Sequence, residues 1–379
     1  MRVAILGAGP AGLYLAYLIK RRDRGADVRV YEQNSADATF GFGVVFSDRA
    51  LEFLNEDDPE TFAAIVPQLE SWTDIAIVHR GERVRIDGVG FAAIGRLELL
   101  QLLQARARSV GVEPDYRRAV GDLNELADAD LVVGADGVNS LVRRTHQAAF
   151  GATSTYLTNR FAWFGTAKPF DTLTQTFRHS DLGDFNAHHY RYAPAMSTFI
   201  VEVNEATFAR AGFDRMDEAE SAAACARVFA DDLGGQPLVT NHSVWRQFPI
   251  VRNARWCHDR YVLIGDALHT AHFSIGSGTR LAMEDAIALD RALAAHPGDL
   301  PAALAAFEAA RRPIVEKLVA AASASGAWYE RFAEHMALAP FDFAMSYLTR
   351  SGRIDPDRLR QSSPDFAERY ARERATSKV

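Results

Sequence analysis

Apolar and polar positions divide the start of the chain into strand-like and helix-like segments. Residues 2–6, RVAIL, form a short apolar run that ends at GAGPAG, and LYLAYLIKRR then has helical periodicity. A second strand, DVRVYEQ, follows. Strand, glycine-rich turn, helix and strand in this order are what a dinucleotide-binding site requires.

The pattern continues with shorter elements and one long helix. An apolar side at Leu97, Leu99, Leu100 and Leu103 predicts a helix from about Arg96 to Ser109. The other predicted helices are SDRALEFLN and DPETFAAIV, and the other predicted strands are DIAIVH, ERVRIDG, VEPDY and ADLVVG.

From about residue 155 to 248 the pattern changes to alternating aromatic and β-branched residues, as in FAWFGTA, DFNAHHYRY and STFIVEV, which predicts a mostly antiparallel sheet. The strand RYVLI and several helices follow, so the nucleotide-binding domain is expected to be discontinuous. The charged last thirty residues are expected to be loosely ordered. The predicted domains are 1–70, 90–154 and 253–335 for nucleotide binding, 71–89 and 155–252 for substrate, and 336–379 as a C-terminal helical extension or tail.

Composition adds limits on function. Of 379 residues, 48% are hydrophobic and 24% charged, which predicts a folded, water-soluble protein of one large or two interleaved domains. The net charge of -7 argues against nucleic-acid binding, and no segment reaches the roughly 20 apolar residues that span a bilayer. Cys225 and Cys257 cannot form a disulfide framework. We expect a cytoplasmic protein.

The glycine-rich turn carries the first chemical prediction. Gly7 permits a tight turn, Gly9 lets the backbone approach a pyrophosphate, and Gly12 allows the helix to pack closely on the strand. Glu32 ends the second strand twenty residues after Gly12, where a carboxylate can bind a ribose hydroxyl pair. Dinucleotide binding is therefore predicted.

Two further motifs stand far from the first. ADLVVGADGVNS places Asp136 at the turn after a strand, and GDALHTAHFSIGSG, from Gly265 to Gly278, joins a strand to a helix. With GAGPAGL, Glu32 and Arg96, these motifs make the chain resemble the single-component FAD-dependent aromatic hydroxylases, the p-hydroxybenzoate hydroxylase-like family, over about residues 1–330.

The resemblance implies an α/β fold: a Rossmann-like FAD-binding domain with an inserted, mostly antiparallel β-sheet substrate domain and C-terminal helices. It implies FAD as cofactor, NADH or NADPH as co-substrate, and O2 consumption through a C4a-hydroperoxyflavin. No second nucleotide-binding unit is seen, so NAD(P)H is expected to visit transiently. The residues expected to bind FAD are Gly7, Gly9, Pro10, Ala11, Gly12, Glu32, Arg96, Asp136, Asp266, Gly276, Ser277 and Gly278.

Substrate contacts are predicted where the chain departs from the common family pattern, at HFSI and Arg280. Strand alternation places His188, Tyr190 and Tyr192 on one face and His189 with Arg191 on the other. His188 and His272 are the candidate bases, because histidine titrates near neutral pH. Trp163, Tyr190, Tyr192 and Phe273 are predicted to line an aromatic pocket. The alternative for each of these side chains is a purely structural role, and no metal site is predicted.

Within the family, FGFGVVFSD, AHHYRY and STFIVEV are similar to the branch that hydroxylates salicylyl-CoA and 2-aminobenzoyl-CoA. Attack at ring position 5 of a salicylyl group is para to its hydroxyl, which donates electrons to an electrophilic oxygen. A CoA tail would favour a basic entrance, with Arg191 and Arg280 as possible contributors. The alternatives are a hydroxylase of an indole or another free aromatic, a flavin oxidoreductase that inserts no oxygen, and a nucleotide-binding protein without catalysis. The regiochemistry, the choice of NADH or NADPH and the oligomeric state stay open.

Overall fold

A computed structural model describes residues 1–47 and 51–376 of the chain. The start of the predicted helix SDRALEFLN and the last three residues lie outside this range. In chain order the strands are β1 (Arg2–Leu6), β2 (Asp27–Glu32), β3 (Gly43–Ser47), β4 (Glu70–Trp72), β5 (Ile75–His79), β6 (Glu82–Ile86), β7 (Phe91–Gly95), β8 (Asp115–Tyr116), β9 (Leu131–Gly134), β10 (Ala152–Thr166), β11 (Leu173–Ser180), β12 (Gly183–Ala193), β13 (Met196–Val203), β14 (Arg246–Asn253), β15 (Cys257–His258) and β16 (Tyr261–Leu263).

The helices separate and flank these strands. They are α1 (Pro10–Arg22), α2 (Glu52–Asp57), α3 (Pro59–Ile65), α4 (Arg96–Ser109), α5 (Leu141–Thr145), α6 (Gln147–Phe150), α7 (Glu205–Ala211), α8 (Glu218–Val228), α9 (Ala230–Leu233), α10 (Gly278–Ala295), α11 (Leu300–Tyr329), α12 (Phe332–His335), α13 (Pro340–Thr349), α14 (Pro356–Ser362) and α15 (Pro364–Thr376).

A six-stranded sheet in the order β15-β16-β9-β1-β2-β8 forms the nucleotide-binding part of the fold. β1 pairs in parallel with β2 on one side and with β9 on the other. Both faces of its centre are covered, so Val3, Ile5 and Leu131 are almost completely buried. Continuous apolar strands of this kind are typical of parallel sheets. β16 joins β9 after the long insertion, as the discontinuous pattern of the sequence predicts.

The insertion, together with β5 and β6 from before β9, forms a seven-stranded sheet in the order β14-β10-β13-β12-β11-β5-β6, antiparallel except for the β5–β11 pair. One face buries Phe185, Phe199 and Val201 against the segment that holds α7, α8 and α9. The opposite face contributes Ile77, Phe177 and Tyr190 to a core shared with the end of α11 and the C-terminal helices. The sheet is therefore covered on both sides.

A third, three-stranded sheet in the order β3-β7-β4 lies beside β12. The backbone N–H of Gly43 donates to Thr198 Oγ1 over 2.8 Å, and the Tyr190 hydroxyl donates to the Gly43 carbonyl over 2.9 Å. These bonds fasten β3 to the large sheet beside the predicted substrate pocket.

The expectation of loose order at the C-terminus is wrong for residues 356–376, which form α14 and α15. Phe366 of α15 is fully buried and stacks near Phe341 of α13, so one apolar side anchors an otherwise charged helix. The helical segment DEAESAAACARVFADDL is divided at Phe229 into α8 and α9. Within residues 1–47 and 51–376, no helix has both the length and the apolar character needed to cross a membrane.

Candidate active site

The glycine-rich turn has the close contacts that its sequence predicts. Gly7 has a φ of +99°, and a Cβ there would lie 2.3 Å from the Ala135 carbonyl oxygen. A Cβ on Gly12 would lie 2.0 Å from the Gly7 carbonyl oxygen, whereas a Cβ on Gly9 would meet no protein atom within 4 Å. Gly7 and Gly12 are thus needed by the fold, and Gly9 leaves room for a ligand.

Gly9 is the N-cap residue of α1 and, as a glycine, has no side chain to bond the first amides. Pro10 is the first residue of the helix. Because the first amides of a helix have no acceptor inside it, the N–H groups of Ala11 and Gly12 are available to a phosphate. A cleft with an empty volume of about 530 Å³ runs along this turn. Gly9, Pro10, Glu32 and Arg96 are among the residues that line it.

Glu32 is held beside the turn by its own neighbours. Its Oε2 accepts a hydrogen bond from the Ala8 backbone N–H over 2.9 Å, and its Oε1 accepts from the Asn34 backbone over 2.9 Å and from Asn34 Nδ2 over 2.7 Å. A carboxylate has about four acceptor positions, so a ribose hydroxyl pair can still donate to it. Binding of a ribose by Glu32 stays a prediction.

Arg96 begins α4 at the inner end of the cleft, where its backbone N–H donates to the Phe42 carbonyl over 2.7 Å. Its guanidinium forms no hydrogen bond or ion pair with any described residue. Burial lowers the pKa of Arg96, against the opposing effects of Asp266 and Tyr190. The structure thus brings Arg96 and Asp266, 170 positions apart in the sequence, into one electrostatic environment.

Asp136 follows β9 as the sequence predicts. Its Oδ2 accepts from the Leu141 backbone N–H over 2.7 Å, while Oδ1 is buried and has no hydrogen-bond partner in the described part of the chain. Burial raises the pKa of this carboxyl. Oδ2 therefore supports the turn into α5, and Oδ1 is available to a bound group.

The third motif begins at a turn that is held by Asp285, a residue that no sequence motif predicted. The Gly265 backbone N–H donates to Asp285 Oδ2 over 3.0 Å, and His269 Nε2 lies 2.9 Å from the same oxygen. Arg311 Nε donates to Asp285 Oδ1 over 2.8 Å. Burial alone would raise the pKa of Asp285, but His269 and Arg311 outweigh it and hold that pKa below its ordinary value.

Asp266 itself is exposed, in contrast to the buried Gly265 and Ala267 beside it. The surrounding protein nevertheless raises the pKa of its carboxyl, against the effects of His269 and Arg96. Farther along, Gly276 has a φ of +60° and a Cβ there would lie 3.2 Å from Val45 Cγ1, whereas a Cβ on Gly278 would meet nothing within 4 Å. Ser277 precedes α10 without capping it through its side chain. The open backbone at Gly278 resembles that at Gly9.

His188 lies on the inner face of the seven-stranded sheet, opposite Gln175 of β11 and Ile200 of β13. The predicted alternation is correct: Tyr190 lies 5.4 Å from His188 between ring centroids, and His189 stacks on Phe199 on the other face. Neither ring nitrogen of His188 has a hydrogen-bond partner among the described residues. Burial, followed by the charge of Arg350, lowers the pKa of His188 to about 3.

His272 is also buried, between the rings of Phe248 and Phe273. Its Nδ1 lies 2.7 Å from Ser274 Oγ, which lies 2.7 Å from Ser325 Oγ, and Arg350 Nε donates to Ser325 Oγ over 2.9 Å. Burial, then Arg350 and His188, lower the pKa of His272 to about 3. No local motif or periodicity in the sequence marks Ser325 or Arg350 as part of this site.

The predicted aromatic residues do not all lie together. Phe273 lies 4.9 Å from Phe161 between ring centroids, and Tyr190 lies 6.3 Å from Trp72. Trp163 packs against Gly41, and Tyr192 against Gly43, at the junction of the large sheet with the loop before β3. Tyr190 and Phe273 are thus the members closest to the two histidines.

Both arginines suggested for a basic entrance are paired with an acidic side chain. Arg191 Nε lies 2.7 Å from Glu70, and Arg280 Nε lies 2.7 Å from Glu284. An acidic neighbour cancels much of the attraction that either would exert on a phosphate. Within the described ranges, no group of three or more His, Cys, Asp and Glu side chains is arranged to hold a metal ion.

Comparison with known proteins identifies the class. A family model described as FAD binding domain matches residues 97–322, and one described as NAD(P)-binding Rossmann-like domain matches residues 5–37. The chain belongs to the FAD-dependent aromatic-ring monooxygenases, enzymes that use FAD and NAD(P)H. The fold, the enzyme class and the cofactors predicted from the sequence are confirmed.

Three relatives show the range of substrates in this family. The chain is 43% identical over 361 residues to a salicyloyl-CoA 5-hydroxylase of Streptomyces sp., with 93% of this chain and 70% of that protein covered. It is 36% identical to the 3-hydroxy-4-methyl-anthranilyl-[aryl-carrier protein] 5-monooxygenase of Streptosporangium sibiricum, with 93% and 95% covered. It is also 36% identical to the protodeoxyviolaceinate monooxygenase of Chromobacterium violaceum, with 94% and 96% covered.

Solved structures support the fold. A tetrameric 2-methyl-3-hydroxypyridine-5-carboxylic acid oxygenase superposes with a TM-score of 0.71 at 19% identity, covering 95% of both chains. A probable FAD-dependent monooxygenase from Pseudomonas aeruginosa gives 0.68 at 22% identity, covering 89% of this chain and 98% of that one.

The residues present fit FAD. Backbone without side chains borders the open space at Gly9 and Gly278, Asp136 Oδ1 has no partner among the described residues, and the cleft holds an acid at Glu32 and a cation at Arg96. These features match a ligand with phosphates, ribose hydroxyls and a flat ring. The individual roles assigned from the sequence stay predictions.

Proposed function

We propose that this enzyme hydroxylates salicyloyl-CoA at ring position 5, forming 5-hydroxysalicylyl-CoA and water from the thioester, NAD(P)H, a proton and O2. The observation that carries this proposal is the 43% identity to a salicyloyl-CoA 5-hydroxylase over 93% of this chain. The cofactor, when bound and reduced, activates dioxygen. Position 5 is para to the ring hydroxyl, which increases electron density where the oxygen adds.

Among the protein's own groups, His188 is proposed as the hydrogen-bond acceptor for the ring hydroxyl. Its buried ring is neutral, and neither nitrogen is committed to a described residue. A pKa of about 3 means that the ring stays unprotonated at neutral pH. A base of this kind polarises a hydroxyl through a hydrogen bond without keeping its proton. The electron donation from the ring oxygen then increases.

The surroundings of His188 are proposed to exclude water and orient the ring. Phe273 with Phe161 forms an apolar wall on the side of the third motif. The Tyr190 hydroxyl is occupied by the Gly43 carbonyl, and burial raises its pKa, so Tyr190 stays neutral. Tyr190 is accordingly proposed as a packing surface for the substrate rather than as a proton donor.

The remaining predictions also belong to this proposal. We place the enzyme in the cytoplasm, because Cys225 and Cys257 are both unpaired and burial raises both thiol pKa values, which suits a reducing compartment. O2 and a CoA thioester are its proposed small-molecule partners.

The test is product formation by the purified enzyme loaded with FAD. Oxidation of NADH and of NADPH is followed with salicyloyl-CoA, free salicylate and tryptophan, and ¹⁸O from labelled O2 is traced into each product by mass spectrometry. We expect one labelled oxygen at position 5 of salicyloyl-CoA and coupled NAD(P)H oxidation. Label in tryptophan or another free aromatic alone would assign the enzyme to the alternative substrate class. NAD(P)H oxidation without label in any product would favour a non-oxygenating oxidoreductase.

A further inference from the structure

A continuous line of hydrogen bonds connects the C-terminal segment to His272. Arg350, directly after α13, donates from Nε to Ser325 Oγ over 2.9 Å and from Nη2 to the Ser274 carbonyl over 3.0 Å. Ser325 Oγ lies 2.7 Å from Ser274 Oγ, which lies 2.7 Å from His272 Nδ1. Ser325 is 0% exposed and Ser274 is 7% exposed, so water competes little for these bonds.

The direction of the line follows from what each group can do. A guanidinium has five N–H donors and no acceptor. Ser325 Oγ must therefore accept from Arg350, and Ser274 Oγ is the one other partner that it has in the described part of the chain. The other end sets the direction of the Ser325–Ser274 bond: His272 Nδ1 accepts from the Ser274 backbone N–H, so the Ser274 hydroxyl also donates to Nδ1, and Ser274 Oγ accepts from Ser325. Every hydroxyl in the line accepts once and donates once.

A second hydrogen bond also shows that His272 Nδ1 is an acceptor. The backbone N–H of Ser274 also points at His272 Nδ1, over 3.4 Å. A backbone amide only donates, so Nδ1 must be the unprotonated nitrogen of the ring. In a neutral imidazole the single proton then resides on Nε2. Nε2 makes no hydrogen bond to a described residue, and so its N–H is available to a ligand.

We propose that Arg350, acting through Ser325 and Ser274, fixes His272 as the neutral Nε2–H tautomer, so that His272 donates a hydrogen bond in the active site instead of acting as a base. Arg350 is then a positioning residue, and His272 stabilises negative charge that develops on an oxygen of the reacting ring. This changes the role suggested for His272 by its residue type and leaves His188 as the candidate base. The oxygen to which His272 donates is inferred from the proposed function. The Nε2–H tautomer of His272 is inferred from the hydrogen bonds alone.

The charges around His272 support this assignment. Arg350 stacks over Tyr347 at 3.6 Å and has no carboxylate partner among the described residues. Its positive charge and the burial of the ring both oppose formation of an imidazolium, which would lose the acceptor at Nδ1. His188 is neutral as well, so Arg350 is the charged member of this group at neutral pH. An uncompensated cation also favours an anionic oxygen nearby.

The experiment reads the tautomer directly. The protein is labelled with ¹⁵N-histidine, and two-bond ¹H–¹⁵N correlation spectra at pH 7.5 show which ring nitrogen carries the proton. The chain has 11 histidines, so the His272 signals are assigned by their loss in His272→Asn. Spectra are recorded with FAD and without substrate. We expect the Nε2–H form in the wild type, and a Nδ1–H or protonated ring would overturn the proposal.

Variants test the line of hydrogen bonds. Ser274→Ala and Arg350→Gln should each replace the single Nε2–H pattern by exchange-averaged or mixed tautomers, and Ser274→Thr, which keeps the hydroxyl, should retain it. The matched controls are Ser346→Ala, which removes a hydroxyl bonded to Trp328 between α11 and α13, and Arg353→Gln on an exposed neighbour. Unchanged tautomers in both Ser274→Ala and Arg350→Gln would overturn the role of Arg350. Circular dichroism and FAD absorbance check folding.

Turnover separates this inference from the proposed function. Arg350→Gln should lower the kcat for hydroxylation at least tenfold while the KM for NAD(P)H stays within twofold, because the donor is lost and the cofactor site is retained. A wild-type enzyme with the Nε2–H tautomer that does not hydroxylate salicyloyl-CoA would contradict the proposed substrate and leave the tautomer inference standing.

Discussion

Gly265 donates its backbone N–H to Asp285 Oδ2 over 3.0 Å, which fastens the turn of the third motif to the middle of α10. The carboxylate is fully buried and also receives Arg311 Nε over 2.8 Å. One side chain therefore holds a glycine turn, a histidine and a buried cation together. The position of Asp266, the neighbour of Gly265, depends on this arrangement.

We predict that Asp285→Ala destabilises the protein by about 2–4 kcal/mol, because it removes the buried acceptor shared by Gly265, His269 and Arg311 and leaves Arg311 with Glu284, 2.7 Å away, as its remaining carboxylate. FAD affinity should fall as well, since the turn at Asp266 loses its anchor. Urea unfolding and titration with FAD measure the two effects. Asp357→Ala removes the carboxylate of an exposed pair with Arg360 and should change stability by less than about 1 kcal/mol. Equal stability losses in the two variants would contradict the assigned role of Asp285.

The glycine-rich turn allows folding and cofactor binding to be separated. Gly9→Ala introduces a Cβ with no protein atom within 4 Å, at a φ of -75° that alanine readily adopts. We expect its melting temperature without FAD to stay within about 2 °C of the wild type and its FAD affinity to fall at least tenfold, because the methyl group takes the space of the pyrophosphate.

Gly12→Ala serves as the contrasting variant. Its Cβ would lie 2.0 Å from the Gly7 carbonyl oxygen, so the protein should be strongly destabilised even without cofactor. Differential scanning fluorimetry with and without FAD distinguishes the two outcomes. Normal FAD binding by Gly9→Ala would show that the cofactor does not approach the backbone at this position.

Features with a local cause were predictable from the sequence. The turn at Gly7, Gly9 and Gly12 follows from consecutive residues, and the face shared by His188 and Tyr190 follows from the two-residue period of a strand. Their positions in the structure agree with the prediction. The turn at Gly265 and Asp266 also follows from consecutive residues, whereas Asp285, which supports that turn, does not.

Features that depend on tertiary contacts were not predictable in this way. Asp285 has its role through Gly265 and Arg311, and Arg350 reaches Ser274 across 76 positions. No periodicity or motif in the local sequence marks such a partner. The C-terminal charge pattern was misleading for the same reason, because the helix that contains Phe366 is stabilised by burial against α13 and not by its own composition.

His188→Ala should lower the rate of ring hydroxylation by roughly 10²-fold and leave FAD affinity within twofold. The reason is that, on the proposed function, the ring hydroxyl loses the neutral nitrogen that polarises it, whereas His188 lies on the seven-stranded sheet and is not among the residues that line the cleft at Gly9. Product formation, NAD(P)H oxidation and hydrogen peroxide release measure the coupling. His179→Ala is the control, because His179 is exposed and bonded to Asp184. Full coupling in His188→Ala would remove it as the base.

The two buried histidines make the fold sensitive to acid. Burial lowers the pKa of both His188 and His272 to about 3, below the ordinary value of 6.5, so the unfolded chain binds more protons between these values. Stability is therefore complete above about pH 6.5 and decreases as the pH falls toward 3. At pH 5 the loss should be about 2 kcal/mol for each histidine. Urea unfolding from pH 7.5 to 5 measures this loss. In His188→Gln the free energy of unfolding should fall less steeply with decreasing pH.

Glu202 should produce the opposite dependence at higher pH. Burial raises its pKa to about 8, so between the ordinary value of 4.5 and 8 the folded protein keeps a proton that the unfolded chain releases. Its contribution to stability is therefore present below about pH 4.5 and is lost as the pH rises to 8, at about 1.4 kcal/mol per unit. Glu202→Gln keeps a neutral side chain beside Asn159, so its unfolding free energy at pH 8 should exceed that of the wild type. Glu205→Gln, on an exposed neighbour, should keep the wild-type slope. An identical slope in Glu202→Gln and the wild type would mean that Glu202 is ionised in the folded enzyme.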